Sequence, residues 1–415
     1  MDLTIEQSCP GCGASIELHE DDRMVRCPFC EVHNYMLDRG ARRFVLPWKL
    51  PVNIDEKGLF FVPYLRFKGA IFYTTGEKVN HKLVDTTRLG LESTRFPASL
   101  RLRPQAMKVK PIVAGMAGRF LRQTAKTQTV FSHAVRITTL FAKKKDDHVY
   151  HRAFIGESVS RIYQPYYIHD EKLFDGVDNR LLGEGSSLQT DQSNSFASKA
   201  SWEPRFIPTL CPECGDLLKG EKDSLVLNCR NCETLWQEQA GKFIPLKWSV
   251  IESGNRAVRY LPFWKITFHT TDKNLKTFGG FLRLTNQPVI VHREYDEIPL
   301  AFWIPAFKIN PKVFLQLAAK LTAVQLHIPE GKKSRLGDIY PVTLHWKEAV
   351  QAIKSVLAAT SLHKKRVYPL LSTMDIASAD SILQYLPFTV HSHDLVQEHT
   401  LVTVNSAALR YGRKL

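Results

Sequence analysis

"CPGCGASIELHEDDRMVRCPFC" (residues 9–30) and "CPECGDLLKGEKDSLVLNCRNC" (residues 211–232) carry one cysteine frame twice in a chain of 415 residues. Cys9, Cys12, Cys27 and Cys30 read C-x2-C-x14-C-x2-C, as do Cys211, Cys214, Cys229 and Cys232, and these eight are all the cysteines present. A tetrahedral metal needs four thiolates, and a C-x-x-C turn aims two of them at one point. The glycine after the second cysteine, Gly13 or Gly215, permits the positive φ that closes such a turn. Fourteen intervening residues suit a short hairpin that returns the second pair to the metal. The arrangement is that of a rubredoxin-like zinc ribbon.

Three rival readings of the cysteines fit less well. Disulfides sit poorly with an acidic N-terminus, "MDLTIEQSCP", that has no apolar signal segment. A rubredoxin-type iron site usually spaces its pairs further apart. A redox dithiol would be one pair, not two matched quartets. The expectation is therefore two zinc ions per chain. With every ligand a cysteine, no position is left for water, so both metals would be structural. A ribbon of about 35 residues cannot fold on its own apolar area, and metal binding supplies the missing stability.

The repetition continues beyond the cysteines. "RFVLPWKL" (residues 43–50) is followed by "GLFFVPYLRFKG" (58–69), "AMKVKP" (106–111) and "RIYQPYYIHDEKL" (161–173). In the same order come "KFIPLKWSV" (242–250), "AVRYLPFWKITFH" (257–269), "AFKINP" (306–311) and "LQYLPFTVHSHDL" (383–395). A helix is expected after both the third and the seventh of these. The pattern predicts an α+β chain made by tandem duplication of a ribbon and a mixed β/α module. The expected division is ribbon 1–40, module 41–182, flexible linker 183–204, ribbon 205–241 and module 242–415. The linker rests on the Ser-, Gly- and Asn-rich run at 183–201. "NPKVFLQLAAKLTAVQ" (310–325) predicts a helix capped by Asn310 with Pro311 in its first turn. A second, longer amphipathic helix is expected over 345–365, with lysines at its end. The prolines of the aromatic strands predict an edge or a bulge.

The formal net charge of +15 predicts an anionic partner. The ribbons do not supply this charge: residues 1–40 hold three cations against eight acids, and 209–241 hold three against six. Phosphate contact needs cations, so the ribbons read as structural caps or protein-docking surfaces. In "RFPASLRLRPQAMKVKP" (95–111), strand alternation would place Arg101, Arg103, Lys108 and Lys110 on one face as an anion-binding stripe, with Arg119, Arg122 and Lys126 following. Among the strand aromatics, Tyr64, Phe263 and Trp264 are the candidates for a partner-binding surface, against the alternative of core packing. His391, His393 and Asp394, with His169 and Asp170 at the matching place, lack an evident third metal ligand.

The ribbon frame and the "RYLPFWKITFH" strand after it resemble those of uncharacterised bacterial zinc-ribbon proteins, in which a CPxCG ribbon leads into a β-rich module with a PFW or PYW strand. Some of these are labelled as primosomal or replication-factor-like, and some accompany phage-shock-type membrane-stress proteins. The eight cysteines and Pro262, Phe263 and Trp264 carry the resemblance. No run of 18 or more apolar residues matches the membrane helix of certain relatives. Phosphate-loop, zincin, nucleophile-elbow and dinucleotide motifs are missing from the chain, and "EGKKS" (330–334) lacks the upstream glycine of a phosphate loop. The expected function is a non-enzymatic cytoplasmic scaffold or adaptor that binds a protein partner, with a membrane-associated stress complex as one setting. The alternative is a nucleic-acid-binding protein using the basic strand. An anionic membrane surface is a third kind of partner, and no small-molecule substrate is inferred.

Overall fold

The computed structural model describes residues 3–413, other than 38–39, 77, 140–147, 186–194, 198–201, 256, 271 and 335–336. It divides into two compact units. The first holds Met1–Lys68, Val84–Phe141 and Glu157–Pro208; the second holds Gly69–Leu83, Ala142–Gly156 and Thr209–Leu415. Among the described residues strands and six α-helices are both present, an α+β composition. No helix among the described residues is long and apolar enough to cross a membrane.

Strand Phe60–Thr74, whose first nine residues belong to the first unit, lies between Arg119–Leu121 and His151–His169, most of which also belongs to it. The sheet continues through Arg42–Val45, which runs parallel to His151–His169, then Lys108–Pro111, and reaches the ribbon hairpin Thr4–Ser8/Ser15–His19. Phe60–Thr74 is buried along nearly its whole length, as its aromatic and β-branched content requires. Pro63 is therefore in a central strand, where an edge or a bulge was expected. Its carbonyl accepts the Gly90 amide at 2.8 Å. A Cβ on Gly90 would stand 2.8 Å from that same oxygen, so only glycine permits the approach. Pro165 repeats the device with the Gly176 amide at 2.9 Å.

In the second unit the order is Phe302–Pro305, Val258–His269, Ala377–His391, Asp394–Gln397, Thr403–Asn405, with Trp248–Val250 parallel to Ala377–His391. Helix Pro311–Ala323 begins as expected: Asn310 accepts from the Lys312 amide and Pro311 occupies the first turn. The second helix differs from expectation. It ends at Thr360, the Ser361 and Leu362 amides turn to the Leu357 and Thr285 carbonyls, and Lys364–Thr373 forms a separate helix. Lys364 and Lys365 thus start a helix instead of ending one.

The two units share a strand plan. A short strand after each ribbon runs parallel to the long one, pairing Val45 with Tyr163 and Val250 with Tyr385. Each long strand then folds back through two short antiparallel strands. The turn between those two closes identically: the Asp175 and Gln397 amides donate to Arg180 and Val402, around Asn179 and Leu401 at φ 58° and 57°. One landmark breaks the correspondence. Lys108–Pro111 borders the ribbon hairpin, whereas Phe302–Pro305, just before "AFKINP", borders the central strand Val258–His269. The first helix after residue 111 begins only at Gln128. Within the expected linker, residues 186–194 and 198–201 lie outside the described residues, while Ser195–Phe196 pairs with Arg119–Leu121 and the Trp202 ring packs against Phe120 and Tyr163.

Each ribbon is joined to its own unit by buried polar contacts. Arg66, with no exposed surface, donates to both oxygens of Asp85 at 2.8 and 2.7 Å and to Glu20 of the first ribbon at 2.6 Å. In the second unit the Gln237 side-chain amide lies 2.8 Å from His345 Nε2. His345 Nδ1 accepts the Lys347 amide at 3.1 Å and so caps helix Trp346–Thr360. Nδ1 can do this only while unprotonated.

Two predictions follow from these contacts. Arg66→Met leaves the Glu20 carboxylate buried beside an apolar side chain; it should cost about 3–5 kcal/mol, read by urea unfolding, and adding Glu20→Gln should restore part of that. For His345, burial, assisted by the Lys347 charge, lowers the pKa from 6.5 to about 4. A depressed folded-state value means the contribution is complete above about pH 6.5 and is lost as pH falls towards 4. His345→Asn keeps a capping oxygen without the titration, and its melting temperature should fall less than the wild type's over that window.

Candidate metal centres

Each cysteine knuckle is the turn of its own hairpin. Cys9–Cys12 lies between Thr4–Ser8 and Ser15–His19, and Cys27–Cys30 between Met24–Arg26 and His33–Met36. The second ribbon repeats this around the Leu210–Leu217 bridge and the Val226–Asn228/Leu235–Gln239 pair. The expected hairpin joining the two knuckles is replaced in the first ribbon: Ser15–His19 pairs back with Thr4–Ser8, and Met24–Arg26 pairs forward with His33–Met36. The third strand of the latter sheet comes from Phe206–Pro208, where the second ribbon uses its own Lys242–Pro245.

All four knuckles close alike. The amides of Cys9, Cys27, Cys211 and Cys229 donate to the carbonyls five residues on: Ala14, Val32, Asp216 and Thr234. The residue after each second cysteine is left-handed: Gly13 and Gly215 at φ 77°, Glu31 and Glu233 at 56°. The glycine expectation therefore holds for the first knuckle of each ribbon, and a glutamate takes the same conformation in the second. The Gly11 and Phe29 amides point at the Cys9 and Cys27 sulfurs at 3.3 and 3.4 Å, spreading thiolate charge onto the backbone.

The four sulfurs of each quartet lie within 4.8 Å of one another. The closest pairs are Cys9–Cys30 at 3.6 Å, Cys12–Cys27 at 3.7 Å, Cys211–Cys232 at 3.5 Å and Cys214–Cys229 at 3.4 Å. A disulfide would bring two sulfurs to about 2.05 Å. Both quartets can hold a metal ion. The first cysteine of every knuckle is buried; of the second, Cys12, Cys30 and Cys214 are exposed and Cys232 is half-buried. Among the described residues these quartets are the groups of three or more metal-ligating side chains that converge this closely. His391 and His393 are exposed, and His169 meets Asp170 at 3.5 Å.

The aromatic candidates are core. Tyr64 and Phe263 have no exposed surface and Trp264 has 1 %. The Tyr64 hydroxyl donates to the Pro97 carbonyl and meets the Tyr166 hydroxyl at 3.2 Å. Phe263 stacks on Phe388, and the Trp264 indole donates to the Leu344 carbonyl. None of the three can form a partner surface, because strand burial on both faces claims them.

The anion stripe divides. Lys108, Lys110 and the buried Val109 and Pro111 alternate as expected. The two lysines face acids of the first ribbon: Lys108 bonds Glu17 at 2.7 Å and Lys110 meets Glu6 at 3.5 Å. Arg101 and Arg103 are exposed but lie in a loop, since Pro104 opens a 3₁₀ turn and stops any strand there. The sequence reading missed a different basic site. Arg88, Arg95, Arg119, Arg122, Lys126 and Arg136 line one cavity of the first unit. Arg119, Arg122 and Lys126 were legible as a continuation of the stripe; Arg88, Arg95 and Arg136 reach the cavity only through the fold.

No family model, no curated protein and no solved structure matches this chain. The site is therefore read from its own geometry. Cys27→Ser and Cys229→Ser should each lower the metal content from two ions per chain to one, by elemental analysis, with loss of protease resistance in the affected ribbon.

Proposed function

We propose that the chain is a zinc-stabilised scaffold or adaptor, made by tandem duplication of a ribbon and a β/α module, that works in the cytoplasm by binding a protein partner. Zinc is supported by the donor set and its spacing. Four thiolates at about 2.3 Å from one ion stand about 3.8 Å apart, close to the sulfur separations found here. The four cysteines of a quartet would hold the ion with no open position, so its role is to fix two knuckles in place. Duplication is supported by the shared strand plan and matched turns.

The observation that carries the partner reading is Phe29. It sits between Cys27 and Cys30 and is 71 % exposed, on a knuckle held by its hydrogen bonds. A rigid exposed aromatic among acids such as Glu31 fits a partner with an apolar socket rimmed by cations. The corresponding residue of the second ribbon is Asn231, so the first ribbon would be the docking one. The resemblance to proteins that accompany membrane-stress systems makes a membrane-associated complex the setting to examine first. The nucleic-acid alternative has less support on the basic strand, because Lys108 and Lys110 are already neutralised by Glu17 and Glu6.

Affinity purification from the native cell after nuclease treatment should recover a stoichiometric protein partner with the wild type and not with Phe29→Ser. Recovery of nucleic acid alone, or of the same partner with both proteins, would overturn this reading. Elemental analysis should return two zinc ions per chain; iron in their place would refute the metal assignment.

A further inference from the structure

The first unit contains a cavity of about 1150 Å³ whose charge is one-sided. Arg88 comes from strand Val79–Leu89, Arg95 from the loop after it, Arg119 from strand Arg119–Leu121, Arg122 and Lys126 from the following segment, and Arg136 from helix Gln128–Thr139. Glu92 is the acid on its lining. Arg88, Arg119, Arg122 and Lys126 make no salt bridge with any described residue. This is the opposite of Lys108 and Lys110, whose acids are in place. These four like charges, with Glu92 as the acid beside them, raise the local potential, and the fold bears that cost where a ligand relieves it. His133, on the same wall, feels the field: burial, and then the Arg88 and Arg136 charges, lower its pKa.

Other features of the wall agree. The buried rings of Phe60 and Phe96 back the cavity with low-dielectric material, which focuses the field. Helix Gln128–Thr139 starts at the cavity with Gln128 and Thr129 on its lining and no acid in its first turn, so the positive end of its dipole adds to the cations. Five of the six cations are arginines, whose planar fork matches phosphate oxygens in pairs. A nucleic-acid duplex is met by cations spread over a surface along its backbone. Here they converge on a concavity slightly larger than the usual small-ligand range of about 300–1,000 Å³.

We infer that this cavity is a binding site for a compact small molecule carrying two or more phosphate groups. Arg119 and Arg122, both exposed on its lining, are its clamps. The inference does not rest on the protein-partner reading, since Phe29 is not on its lining. Failure of one leaves the other standing.

Calorimetric titration of the full, metal-loaded chain with inorganic tripolyphosphate should show one site, with inorganic orthophosphate binding at least about tenfold more weakly. Arg119→Glu with Arg122→Glu should weaken tripolyphosphate at least about 30-fold, while Arg101→Glu with Arg103→Glu, outside the cavity, should change it by less than about threefold. Circular dichroism and metal content verify folding. If the double charge reversal does not fold, Lys126→Gln, an exposed neutralisation, should still weaken binding by about threefold or more. No binding of tripolyphosphate, or equal loss in both double variants, would overturn the assignment. So would a fluorescein-labelled 12-nucleotide single-stranded RNA that binds more tightly than tripolyphosphate, competes with it, and is weakened by the Arg119→Glu, Arg122→Glu pair. That result would make the cavity part of a nucleic-acid path.

Discussion

Four sulfurs that share one point are the constraint from which each ribbon follows. The knuckles have little apolar surface to bury, and their backbone turns into left-handed conformations at Gly13, Glu31, Gly215 and Glu233. Such turns persist when something outside the local chain over-determines them. Convergence of four thiolates on an ion does that, and the repeated amide-to-carbonyl closure across five residues shows the same solution reached at every knuckle. The buried first cysteine anchors each knuckle in the protein, and the second reaches outward to complete the cage.

The ribbons are not free fingers. Each is joined to the rest of its own unit by contacts that are costly to leave unpaired. The first uses a buried charge: Glu20 against Arg66, which also grips Asp85. The second uses a neutral hydrogen bond, Gln237 to His345, and a charged clamp of Arg413 on Glu221 and Asp223. The units thus share a strand plan while differing in the chemistry at this junction. Only the second places a titratable histidine there, which makes the junctions unequal in acid.

Charge is sorted by the same logic. The acidic first ribbon supplies counter-charges to Lys108 and Lys110, so the strand that looked most basic is locally balanced. Other cations gather around a concave wall built from a strand end, two loops and one helix face, and four of them, Arg88, Arg119, Arg122 and Lys126, have no salt bridge with a described residue. The net positive charge of the chain is therefore an average over a neutralised strip and a concentrated pocket.

The cysteine frame was readable because metal ligation is local: spacing alone states which sulfurs can meet, and the coordinates bring together the same eight. The cap at Asn310 and the helix after it were readable for the same reason, as was the alternation of Lys108 to Pro111. Properties that depend on distant neighbours were not. Tyr64, Phe263 and Trp264 lie in strands whose aromatic pattern is the same whether one face or both are covered, and only the sheet neighbours show that both are. Pro63 lies in a central strand, and its carbonyl meets the amide of Gly90, which is remote in sequence. The pairing of Lys108 with Glu17 joins a module strand to a ribbon strand. Arg88, Arg95 and Arg136 acquire a shared field only when strand, loop and helix close around one cavity. Sequence by itself determined what neighbours along the chain can do together; tertiary structure decided burial and charge compensation, because both are sums over residues that the chain brings close only by folding.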